Sequence, residues 1–362
     1  MRRRLRIMVC LIASTLLALG IVMVYSASAL YATETSGHPW ALLVRHLLAL
    51  VLGLAAAFGI MSVPYVQLRR WAKPLVLMGW GLLLMVLLPG IGSQSGGAQR
   101  WFRLGPISIQ PSEVVQLIMV VYLADVLARK QGALDRFWEG LAPILGVLGF
   151  TLGLILLQPD LGTVVAISLV AGGLFFVTRV RWQHLATLGG MAVPALAVLV
   201  GSAGYRRRRI LAFLNPWGDP LGSGFQIIQS LIAIGSGGLI GVGLGHSTQK
   251  LFYLPGAYGD FIFAIIGEEL GLLGCLAVVG LFVGLVWCGA SLALRTTDLF
   301  GRLLAMGLTL TIGLKALINL AVATGMMPTK GLPLPLVSYG GSSLIINLAS
   351  VGLLLNVGKN HT

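Results

Sequence analysis

The chain is divided into ten mostly apolar runs of membrane-crossing length, and this one feature excludes most folds. The runs lie near 7–29, 46–63, 74–92, 111–128, 141–158, 162–179, 184–203, 261–291, 303–324 and 342–357. A spanning helix needs about 20 mostly apolar residues, and in lipid each backbone N–H and C=O must be satisfied within the segment. The pattern therefore predicts an all-α, polytopic integral membrane bundle of about ten helices, built as a single domain over 1–362. An even number of spans puts both termini on one side. Charged residues make up 10% of the sequence, against about a quarter in soluble domains, so an ordinary hydrated surface is excluded. Met1–Arg6 and the apolar run that follows resemble a signal peptide, but the run continues to about Ala29 without a cleavage pattern and reads as a retained first helix. Cys10, Cys275 and Cys288 lie within apolar runs and read as small buried hydrophobes.

The net charge of +14 does not indicate nucleic acid, because the basic residues sit at the ends of the apolar runs, where they act as orientation signals. With the N-terminus taken as cytoplasmic, fifteen of the 25 Lys and Arg fall on that side and nine on the other, leaving Lys315 inside a span. Four of the nine form one cluster, Arg206–Arg209. It opens the longest connection, about 204–260, an outer loop between spans seven and eight. This loop carries apolar stretches broken by glycines, which predict short helices on or dipping into the bilayer. Loops of such length in compact proteins tend to be functional. The glycine run from Gly235 to Gly245 lacks a phosphate-loop ending and predicts bends and close helix packing.

Only eleven carboxylates occur, so each can be weighed. Asp125, Asp135, Glu139 and Asp298 read as solvated partners of Lys and Arg at cytoplasmic ends, and Glu34 as a solvated loop residue. Glu113, Asp160, Asp219, Asp260, Glu268 and Glu269 fall at the outer face or in the outer part of a span, where an ionised group needs a partner or a task. Lys315 predicts a buried pair with a carboxylate such as Glu113 or Glu268. Arg100, Arg103 and Arg206–Arg209 share the outer region with these acids. Guanidinium groups recognise phosphates, and a desolvated carboxylate beside them can act as a general base. That combination suggests a lipid-linked phosphate or pyrophosphate, although guanidinium snorkelling to headgroups accounts for the arginines equally well.

Several strings in fixed order then resemble one family. They are Gly97-Ala-Gln-Arg-Trp101, Gln110-Pro-Ser-Glu113, Gln158-Pro-Asp-Leu-Gly162, the run from Arg209 to Ser230, Asp260-Phe-Ile-Phe-Ala-Ile-Ile-Gly-Glu-Glu-Leu-Gly271 and Leu334-Pro-Leu-Val-Ser-Tyr-Gly-Gly-Ser-Ser343. Over essentially its whole length the chain resembles the SEDS family, which comprises the FtsW, RodA and SpoVE proteins of bacterial cell-wall synthesis. Pro328-Thr-Lys-Gly331 and Gln249-Lys-Leu look more like FtsW or SpoVE than RodA, and FtsW most of all.

The resemblance implies a multi-pass glycosyltransferase of the bacterial cytoplasmic membrane that polymerises lipid II at the outer face. Asp260 would be the general base. Arg100 and Arg206, Arg207, Arg208 and Arg209 would bind the pyrophosphate, with Lys330 and Ser338 in a loop lining the same cavity. Glu113, Asp160, Glu268 and Lys315 would support the site. A divalent cation (Mg or Mn) could share the charge, but no ligand motif compels one. The implied partners are a class B penicillin-binding protein and other divisome or elongasome membrane proteins. A precursor flippase and a non-catalytic transpeptidase scaffold are the alternatives. Transport predicts a polar path to both faces, and a scaffold predicts that Asp260 is dispensable. The chain departs from the family at Gly256 and Gly259, next to Asp260, and at Gln116, where a lysine is usual. Lys315 is expected to supply that missing charge to Glu113.

Overall fold

A computed structural model describes residues 1–95, 98–105 and 107–359. Twelve α-helices and one small sheet are found among them: α1 (Arg2–Ser36), α2 (Ala41–Ser62), α3 (Leu68–Leu87), β1 (Ser93–Ser95), β2 (Ala98–Leu104), β3 (Ile107–Ile109), α4 (Pro111–Arg129), α5 (Ala142–Leu156), α6 (Leu161–Val177), α7 (Trp182–Gly201), α8 (Gly204–Leu214), α9 (Phe225–Ser236), α10 (Ile262–Leu294), α11 (Leu299–Ala323) and α12 (Gly341–Val357). Each of the ten predicted runs coincides with a helix. Eight helical segments are long and apolar enough to cross a membrane, and α6 and α12, at 17 residues each, fall just short in length. The chain is thus an all-α, polytopic membrane bundle.

Successive spans run in opposite directions. One end of the bundle is closed by Asn356, whose side-chain amide donates to the carbonyls of Ile60 and Val63 at 2.7 and 2.6 Å, and by Tyr65 bonded to Asp298. The sheet, α8, α9 and the loops around 250–260 and 330–340 gather at the other. α4 and α11 form the centre, being apolar nearly all round and buried on most faces, as such helices must be. α7 buries none of its residues and lies at the periphery.

Two features depart from the sequence reading. The connection after α3 is an antiparallel three-stranded sheet in the order β1-β2-β3, in a chain expected to be wholly helical. Each strand is too short for an alternating pattern to stand out against the apolar background. The motif beginning at Gly97 starts outside the described residues, but its Arg100 and Trp101 lie on β2. The eighth span is also not one continuous helix. Gly271 has φ 67° and ψ −164°, which breaks α10 after its first nine residues. The freed carbonyls of Glu268 and Glu269 accept from the N–H groups of Val242 and Gly243, and the N–H groups of Leu272 and Leu273 donate to the carbonyls of Gly238 and Leu239. The glycine run thus lies directly against the break. A methyl group at Gly241 would stand 2.2 Å from the Glu269 carbonyl oxygen, an approach only glycine permits.

Candidate active site

Two loops, the one that ends at Asp260 and the one around 330–340, position the site, and hydrogen bonds from α11 and between the loops tie them together. The amide of Asn319, buried on α11, donates 2.8 Å bonds to the backbone carbonyls of Asp260 and Leu332, so one side chain holds both loops. The Ser338 hydroxyl donates to the Gly259 carbonyl at 2.7 Å and accepts from the Leu334 N–H. The N–H of Tyr339 donates to the Tyr258 carbonyl. These ties fix the backbone on both sides of Asp260.

Above Asp260 opens a cavity of about 510 Å³. Its wall carries four guanidinium groups, Arg45 from α2, Arg100 and Arg103 from β2 and Arg209 from α8, against the two carboxylates Glu113 and Asp260. Burial pushes the Asp260 carboxyl up to about 6, and the charge of Arg209 pulls it the other way. Gly331 stands so close that a methyl group there would lie 3.4 Å from the Asp260 carboxylate. A second cavity of about 380 Å³ shares Arg100, Arg209 and Gly331 with the first and adds Asp160, Tyr205, Arg206 and Lys330. Burial lowers the Lys330 ammonium below its usual range.

The other acidic candidates have structural partners. Asp160 caps α6: it accepts from the Thr163 N–H at 3.2 Å and hydroxyl at 2.8 Å, from Gln110 at 2.9 Å and from Ser112 at 3.0 Å, with Arg100 at 4.0 Å. It thereby joins the starts of α4 and α6 and faces the arginine that serves both cavities. Glu113 is bonded to Lys315, both buried inside the bundle. Of the two carboxylates considered for Lys315, Glu113 is the partner. Glu268 turns away from Lys315 and accepts from Ser247, from the Thr248 N–H and hydroxyl at 2.9 and 2.8 Å, and from the Gln249 N–H at 3.4 Å. Beside it Glu269 pairs with Lys250 at 2.9 Å and accepts from Ser26.

The arginine cluster divides by helical geometry. Arg206 and Arg209, three residues apart, reach the same cavity region, while Arg207 and Arg208 are exposed and line neither cavity. A string of four arginines could not reveal this before the helix start at Gly204 was known. Arg45 and Tyr339 belong to the first cavity but were not singled out in the sequence. The signal for Arg45 was its place at the start of span two, on the side poorer in basic residues. Ser338, expected to touch substrate, spends its hydrogen bonds on the loop backbone. Among the described residues no three His, Cys, Asp or Glu side chains gather as a metal-ligand set; the cationic side chains that line the two cavities are Arg45, Arg100, Arg103, Arg206, Arg209 and Lys330.

Fold and site together define a polytopic helical membrane protein with a cationic, carboxylate-bearing cavity at one end of its bundle. The sequence profile of the FtsW/RodA/SpoVE family, described as "Cell cycle protein", matches residues 6–362. The chain belongs to that family. It is 44% identical to a Geobacter metallireducens protein named "Probable peptidoglycan glycosyltransferase FtsW", over 98% of this chain and 94% of that one. It is likewise 44% identical to "Stage V sporulation protein E" of Bacillus subtilis, over 98% and 96%. Among solved structures it resembles a chain from "Structural coordination of polymerization and crosslinking by a peptidoglycan synthase complex", at TM-score 0.79 and 35% identity over 97% of this chain and 96% of that one. It also resembles the rod shape determining protein RodA of Thermus thermophilus, at TM-score 0.72 and 32% identity over 97% and 95%.

Proposed function

We propose that this chain is a peptidoglycan glycosyltransferase that polymerises lipid II at the outer face of the bacterial cytoplasmic membrane. In this reading the cavity end faces outward and both termini are cytoplasmic. The excess of Lys and Arg at the opposite end supports that orientation. The names of the relatives support the activity. The observation that carries the proposal is Asp260, a carboxylate raised to about 6 in a cavity walled by four arginines.

These groups fit the reaction that the family resemblance implies. The 4-hydroxyl of a GlcNAc on one lipid II attacks the anomeric carbon of the MurNAc at the end of the growing chain. The bond from that carbon to the pyrophosphate oxygen breaks, undecaprenyl pyrophosphate leaves, and the hydroxyl proton passes to Asp260. A base of pKa about 6 is still mostly ionised at neutral pH yet more basic than an ordinary carboxylate. Arg100 and Arg209, which border both cavities, offset the charge that develops on the leaving pyrophosphate. Arg206 and Lys330 extend the cationic lining towards the second cavity.

A polymerase is favoured over a transporter because the polar lining stops short. Between Glu113 and the next carboxylate at Asp125, α4 is mostly apolar and buried, with Gln116 and Tyr122 as its only polar side chains, and both cavities that hold the arginines and Asp260 lie at one end of the bundle. A class B penicillin-binding protein is the proposed transpeptidase partner, with other divisome or elongasome membrane proteins. The test is gel separation of glycans made from lipid II by purified protein, supplied with that partner. Wild type and Arg207→Gln should give a polymer ladder, and Asp260→Ala none. Polymer from Asp260→Ala would remove the catalytic assignment.

A further inference from the structure

The opposite end of the bundle holds a second arginine site that the proposed polymerase reaction does not use. Twelve residues along α4 from Glu113, about 18 Å of helix, lies Asp125. Its side chain is 1% exposed, yet it sits at the edge of an open cleft of about 410 Å³ lined by Val66, Gln67, Arg69, Arg70, Asp125 and Arg129. Arg69 Nε donates to one carboxylate oxygen at 3.3 Å, and Arg129 is bonded to the other. The guanidinium of Arg69 also lies 5.5 Å over the ring of Phe300, a contact that fixes its plane. Both arginine side chains are more than two-fifths exposed on their outer edges, 41% and 44%.

This arrangement differs from arginines spread along a membrane surface. One buried carboxylate pins two guanidiniums into fixed positions and neutralises only one of their charges. Arg70, exposed and without a hydrogen bond or ion pair to any described residue, adds a third. The cleft retains a net charge of +2 and unused N–H donors, with the start of the helical segment Tyr65–Leu87 at its mouth contributing the positive end of its dipole. Its depth is marked by Trp71, Trp138 and Trp182, three exposed tryptophans near the starts of α3, α5 and α7 at the same end of the bundle. Exposed tryptophans collect at the headgroup level of a bilayer.

We propose that this cleft is a binding site for the headgroup phosphate of an anionic phospholipid. Arg70, Arg129 and the free edge of Arg69 are the donors, and Asp125 is the group that positions two of them. The ligand is a lipid, not a soluble phosphate, because the cleft opens at headgroup depth, where an acyl-anchored phosphate is held at high local concentration.

Native mass spectrometry of the purified full chain in detergent tests this, using phosphatidylglycerol, phosphatidylcholine and inorganic phosphate as probes. Wild type should prefer phosphatidylglycerol to phosphatidylcholine by about tenfold, the scale of one charge-assisted contact. Arg70→Gln should lose that preference, Arg70→Lys should keep most of it, and Arg179→Gln, an exposed arginine at the same end but outside the cleft, should keep all of it. Melting without added lipid should be the same for wild type and Arg70→Gln, which separates lost binding from lost folding. Equal binding of the two lipids, an unchanged Arg70→Gln, or an equal loss in Arg179→Gln would overturn the site. Protection from melting by inorganic phosphate equal to that by phosphatidylglycerol would overturn the lipid as its ligand.

Discussion

Lys315 is enclosed inside the bundle with its ammonium on Glu113, and neighbouring Gln116, also buried, has both side-chain polar atoms unpartnered among the described residues. A lone charge at this depth is costly, so the pair stands or falls together. Lys315→Gln should therefore destabilise the protein by about 3–5 kcal/mol, the usual cost of breaking a buried pair from one side. Adding Gln116→Lys, three residues from Glu113 on the same helical face, should restore most of the melting temperature and activity. Additive damage in the double variant would show that position 116 cannot replace Lys315. Much of this scale was legible in the sequence, because eleven carboxylates and one intramembrane lysine form a short list. The partner of Glu268 was not. Its bonds from the hydroxyls of Ser247 and Thr248 and the N–H groups of Thr248 and Gln249 depend on the course of an irregular loop, which the sequence pattern does not record.

At the scale of elements, the break in α10 decides where Asp260 sits. The nine residues before Gly271 form a buried half-helix, and the glycine run against it supplies the backbone partners that the break exposes. Gly271→Ala should sharply lower yield and melting temperature, because position 271 needs φ 67° and a methyl group there would lie 2.3 Å from the Gly241 nitrogen. Gly280→Ala, in the same helix with nothing within 4 Å, should be neutral or slightly stabilising by the same assay. The sequence showed an apolar run here and packing glycines upstream, but the break itself was hidden, since glycine is common within spanning helices. The sheet was hidden for a related reason: three strands of three to seven residues are too short to show periodicity. Helix phase was the third missing datum, and it is what separates Arg206 and Arg209 from Arg207 and Arg208.

Across the whole molecule, charge is arranged in two separate layers. One is the cavity layer around Asp260, and the other is the opposite end with its arginine cleft; buried apolar turns of α4 lie between them. The polytopic helical bundle follows from hydropathy, and the cationic cavity from the unusual basic residues on the less basic side. What required three dimensions was the convergence of α2, β2, α8 and two loops on one carboxylate. The central claim is that this carboxylate takes a proton under the influence of the arginines around it. The most direct measurement is the pH dependence of lipid II polymerisation at subsaturating substrate, for wild type and Arg209→Gln. Because the base must be ionised, the wild-type rate should rise with pH through an inflection near 6 and level off above it. Removing the Arg209 charge, which holds the carboxyl down, should move that inflection upward while lowering the plateau. A rate independent of pH across this window, or an inflection that stays in place without Arg209, would contradict the account.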